Sequence, residues 1–191
     1  METNRFETFF DAVIAIIITV LILKIAQPAE PTLSAIWDMR ISYLAYLISF
    51  LTLFNIWYYN HILFQKIDNI DNKVVWIYGI MTFIISLVPY FTMWDAQNID
   101  SIPAETMFGL IFISINILYT ASIKAIHRSN PYNEYLQKTD RNIIYQLTPL
   151  IVIFLGFILT YTVYRPGIYI CCLIAVILWI FMGWKEAADE D

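Results

Sequence analysis

The stretch RFETFFDAVIAIIITVLILKIAQP, Arg5 to Pro28, decides the fold. From Ala12 to Leu23 it is apolar except for Thr19, and Arg5, Glu7 and Asp11 stand at its front. Twelve consecutive residues with one hydroxyl and no charge predict a helix in an apolar solvent. Its flanks extend it towards the roughly 20 residues that cross a bilayer. The front is acidic as well as basic, and no small-residue cleavage site follows Lys24. The run is therefore read as a retained helix rather than a leader.

Five further apolar runs follow at short intervals. The six expected spans are residues 9–26, 41–64, 74–94, 106–126, 143–164 and 167–184. Of the 191 residues, 60% are hydrophobic and only 14% are charged, whereas a soluble domain carries about a quarter charged residues. No connection is long enough to form a soluble domain. The expectation is an all-α integral membrane protein in which residues 1–191 make one six-helix transmembrane domain. The net charge is −5 and there is no basic run, which argues against nucleic acid as a partner.

The eleven basic residues set the orientation. With the amino terminus inside, Arg5, Lys66, Lys73, Lys124, Arg128, Lys138, Arg141 and Lys185 face the cytoplasm. Lys24, Arg40 and Arg165 face outward. The positive-inside rule then places both termini in the cytoplasm of a multi-pass protein of the cell membrane. The third connection, DAQNIDSIPAE, holds three acids and no base, as an outer loop can.

Pro89 and Pro149 lie within spans three and five, in the strings SLVPY and QLTPL, and are expected to kink them. Cys171 and Cys172 are adjacent, so on a helix they point about 100° apart. They do not jointly grip a metal, and they read as small apolar residues.

Catalysis finds no support in these residues. There are two histidines, His61 and His127, with no H-E-x-x-H, no G-x-S-x-G and no span holding paired carboxylates. A transporter usually buries ionisable groups near mid-membrane. The polar residues within these spans are mild: Thr19, Asn55, Ser86, Asn116, Thr120, Thr148 and Thr160. The five glycines form no T-V-G-Y-G string, so any pore must be lined by side chains. In the first span Ile16, Thr19, Val20 and Leu23 fall at i, i+3, i+4 and i+7 on one face. Asp11, Ala15, Ile18 and Ile22 form another face. Packing or lipid contact is the common role of such aliphatic stripes.

Three motifs add a resemblance. Arg5-x-x-x-Phe9-Phe10-Asp11 resembles the R-x-x-x-F-S-D signature of the transmembrane protein 175 family of potassium channels. WYYNHILF at the end of span two is similar to W-x-x-H-H-x-x-F, with Trp57, His61 and Phe64 in register. SLVPYFT in span three is similar to S-x-x-P-F-x-T. Phe10 stands where the signature has Ser, and Asn60 stands where the second motif has its first His.

The resemblance implies a homotetramer of six-span subunits whose first helices line one central pore. It implies no carbonyl filter and no cofactor, with K+ as the permeant ion and modest preference over Na+. The family's central constriction maps onto Ile16, and further pore layers map onto Thr19, Val20 and Leu23. Ile16, Val20 and Leu23 would make the constriction, and Thr19 a hydroxyl layer. Arg5, Phe9, Asp11, Trp57 and His61 would make a polar network at the inner end, where Asp11 meets His61 or Trp57 across a helix interface. A proton-leak pathway or a small secondary transporter on the same scaffold is the alternative.

Overall fold

The structure is a computed structural model of the chain. It describes residues 3–67, 70–133, 136 and 143–188, and for 143–146 and 183–188 the backbone alone. Helices follow one another without strands among the described residues: α1 Thr3–Leu23, α2 Leu33–Asp38, α3 Arg40–Gln65, α4 Asn72–Ser86, α5 Val88–Gln97, α6 Ile102–Ser129, α7 Ile143–Thr162 and α8 Gly167–Ala188. Thr3–Leu23, Arg40–Gln65, Asn72–Gln97 and Ile102–Ser129 are each long and apolar enough to cross a membrane. In the last two helices the described apolar stretches, Leu147–Thr162 and Gly167–Met182, are shorter. The expected Lys138 and Arg141, and the side chains of Lys185 and Trp184, lie outside the described residues.

Two of the described helices, α2 and α4, begin at side-chain caps, whereas α3, α5 and α6 have none. The Asp71 carboxylate accepts the Val74 N–H at 2.9 Å and starts α4. Thr32 accepts the Ala35 N–H at 3.2 Å and starts α2, a short helix within what the sequence suggested was a plain connection.

The two span prolines act differently. Pro89 sits in the first turn of α5, so span three divides at Leu87 into α4 and α5. Pro has no N–H to donate to a preceding turn, and the first turn of a new helix is where that loss costs least. Pro149 stays inside α7.

α7 and α8 form a close hairpin around the Arg165–Gly167 turn. A β-carbon on Gly156 would lie 2.8 Å from the Cys171 Cβ and 2.9 Å from the Ile168 Cα. Hydrogen alone fits there, and the two backbones approach accordingly. Both cysteines are buried and unbridged.

The third connection departs from its expected reading. α5 runs to Gln97 and α6 starts at Ile102, so most of the loop is helical. Asp95 and Glu105 are fully buried. Glu105 Oε2 accepts the Tyr169 N–H at 3.1 Å, and Thr160 Oγ1 accepts the Ile168 N–H at 2.9 Å. Two orphan donors at the start of α8 are thereby satisfied by α6 and α7. A negative group there also faces the favourable end of the helix dipole. This explains Glu105 Oε2; Glu105 Oε1 and both Asp95 oxygens have no hydrogen-bond partner among the described residues, and the structure offers no account of them.

Candidate pore face and polar cluster of the first helix

One face of α1 is committed to the subunit core. Phe6, Phe10, Ile14, Ile17 and Leu21 recur every three or four residues and are all buried. They pack chiefly on α3, α4 and α5. Phe6 and Phe10 meet the ring of Tyr78 edge-on, with centroids 5.2 Å apart in both pairs.

The other face is left uncovered by the described residues. Ile16 is 62% exposed, Val20 37% and Leu23 80%, and Thr19 between them is exposed too. The four side chains therefore form a continuous uncovered stripe rising roughly 10 Å along the helix. Thr19 Oγ1 donates to the Ile16 carbonyl at 2.7 Å. Its proton is thus engaged within the helix, and its remaining lone pairs are the part offered outward. That polarity suits a cation.

The polar residues gather near the amino-terminal end of α1, on a different face. His61 Nδ1 and Glu7 Oε1 are 2.8 Å apart, joining α3 to α1. Gln65 Nε2 lies 2.9 Å from the other ring nitrogen. The Trp57 indole stacks on the His61 ring at 5.7 Å between centroids and 11° between planes. Glu7, Asp11 and His61 each present one ligand atom within 4.8 Å of the others.

Of the five residues expected in this network, the structure brings together Asp11, Trp57 and His61. Arg5 and Phe9 are exposed. Sequence reasoning missed Glu7, which takes the His61 contact considered for Asp11. The signal was available: Glu7 and Asp11 are four residues apart, hence on one helical face.

The two departures from the family motifs converge on one residue. Tyr78, buried on α4, packs against Phe10 and donates its hydroxyl to Asn60 Oδ1. Asn60 in turn donates to the Ile56 carbonyl at 2.8 Å. Where the motifs have Ser and His, this chain has an aromatic contact and a buried amide, both satisfied through Tyr78.

Helices of membrane-crossing length, an exposed stripe on the first helix and a polar cluster off that stripe define a class: a helical membrane protein that leaves one face of its first helix uncovered by the described residues. Residues 5–89 match the family model described as endosomal/lysosomal potassium channel TMEM175. A potassium channel of Chryseobacterium sp. (strain P1-3) is 27% identical over 156 residues, 82% of this chain and 81% of that one. A potassium channel of Chamaesiphon minutus is 28% identical over 156 residues, 77% of this chain and 76% of that one. In structure the chain is similar to a lysosomal potassium-selective channel TMEM175 homolog from Chamaesiphon minutus, known from a crystal structure. The TM-score is 0.73 at 23% identity, covering 93% of this chain and 96% of that one. Over residues 5–89 the chain is thus similar to the TMEM175 family model, and over nearly its whole length it shares the fold of that TMEM175 homolog. These relatives are named as channels, which are not enzymes.

Proposed function

We propose that this chain is a subunit of a homotetrameric potassium channel whose pore is lined by the first helix of each subunit. The observation that carries the reading is the uncovered Ile16, Thr19, Val20 and Leu23 stripe on a helix whose opposite face is locked into the core. Fourfold symmetry would bring four such stripes around one axis. Four Ile16 side chains would make a narrow aliphatic ring that closes by dewetting. Thr19 would present lone pairs beyond it, with Val20 and Leu23 continuing the lining.

An aliphatic ring supplies no fixed oxygens to replace a hydration shell. It favours the ion that sheds water more easily, which is K+ over Na+, and the preference is therefore modest. Six spans per subunit and both termini in the cytoplasm of the cell membrane follow from the distribution of basic residues. Asp11 serves assembly in this reading, since it lies beside His61 of α3 rather than on the Ile16 stripe.

The buried Asp95 and Glu105 favour the alternative, a proton path or a small transporter, because such proteins bury ionisable groups. Reconstituted liposomes decide between the two. A channel gives rapid K+ flux down its gradient, with slower Na+ flux and no saturation at low gradient. Slow, saturable flux coupled to protons would replace the channel by the alternative.

A further inference from the structure

We propose that Glu7, Asp11 and His61 form a binding site for a divalent transition-metal ion that clamps α1 to α3. The three side chains come from two helices and offer two carboxylates and one imidazole, a donor set that suits Zn2+. Their ligand atoms already lie within 4.8 Å of one another, and the His61–Glu7 pair is at 2.8 Å. A tetrahedral ion with bonds of about 2.0–2.2 Å needs neighbouring ligand atoms about 3.3–3.6 Å apart. Small side-chain rotations reach that spacing, and water completes the fourth position.

Two further observations point to a ligand. Asp11 Oδ1 is shielded from solvent and has no hydrogen-bond partner. A buried carboxylate oxygen left so is costly, and a metal bond satisfies it. The far nitrogen of His61 is held by Gln65, the outer hydrogen bond that a metal-ligating imidazole ordinarily has. Without metal, Nδ1–H donates to Glu7 and Nε2 accepts from the Gln65 amide. With metal, Nδ1 gives its lone pair to the ion and the ring proton sits on Nε2. Half a turn of the Gln65 amide then brings its oxygen round to accept that proton.

The site lies off the stripe. At about 100° per residue, Glu7 stands about 180° and Asp11 about 140° from Ile16 around the α1 axis. A bound ion therefore fixes α1 against its neighbour and leaves the Ile16 face clear. The site stands or falls independently of the channel reading, because its test reads binding and not flux.

The test uses the purified full chain in detergent, stripped with a chelator and dialysed against Zn2+, Co2+ or Mg2+. The site predicts one Zn2+ per subunit and a visible absorption band from bound Co2+. At about 100 µM Zn2+ it predicts a melting midpoint raised by several degrees. His61→Gln should abolish the band, and Glu7→Gln should weaken Zn2+ binding at least about tenfold, one lost charged ligand being worth more than about 1.4 kcal/mol. Should a variant fail to fold in its metal-free state, the wild-type stoichiometry and the other variant decide. Less than one Zn2+ per wild-type subunit, or equal stabilisation by Mg2+, or undiminished binding in both folded variants, overturns the proposal.

Discussion

At Thr19 the helix itself fixes which part of a hydroxyl faces outward. A threonine in a helix commonly returns its proton to a carbonyl one turn back, and here that carbonyl belongs to Ile16. The hydroxyl is then a pure acceptor towards whatever lies outside. If the stripe lines a pore, Thr19→Ala should keep current and lower the preference for K+ over Na+. Thr19→Val should do the same with almost no change of volume. Reversal potentials under K+/Na+ gradients check both; an unchanged preference in both variants places discrimination elsewhere. At this scale the sequence was only partly legible. The i, i+3, i+4, i+7 spacing of the stripe follows from helical periodicity alone. The His61–Glu7 pair does not, because 54 residues separate its members and only the packing of α1 on α3 brings them together.

Helices as elements were legible from hydropathy, since long apolar runs have few alternatives in a bilayer. Their ends were less so. Asp95 and Glu105 were read as acids of an outer loop, but α5 and α6 extend past the hydropathic core and carry both inward. The missed cue was Pro103 near the first turn of a helix, with Glu105 just behind it. Element ends also carry measurable stability. The Val74 N–H holds the Asp71 carboxyl below the usual carboxylate range. A group whose pKa is lowered by folding stabilises the fold above its ordinary pKa and loses that contribution as pH falls through the lowered value. The cap of α4 should therefore weaken only below about pH 4. Asp71→Ala should cost about 1 kcal/mol at neutral pH and remove that acid-side dependence. Thermal melting of both proteins from pH 3 to 7 reads the difference.

For the whole molecule, the uncovered face of α1 is the feature on which the proposed tetramer rests. The TMEM175 homolog shares the fold over nearly the whole chain, although the family model reaches only residues 5–89. The motif-bearing half was thus recognisable from its residues. The second half resembled the family in span length and hydropathy alone, because lipid-facing positions accept any apolar residue. In a tetramer with a central axis, single cysteines at Val20, placed in a background without Cys171 and Cys172, should crosslink between subunits in native membranes. Absence of dimer bands at Val20 and at Leu23 alike would contradict a shared axis.

The central claim is that Ile16 forms the narrowest ring of a K+ pore. The most direct measurement is bilayer recording of the wild-type protein and Ile16→Asn under opposed K+ and Na+ gradients. The ring predicts a larger basal current in the variant, since four amides hold water where four aliphatic chains exclude it. It also predicts a reversal potential moved towards zero. An unchanged conductance together with an unchanged reversal potential would contradict it.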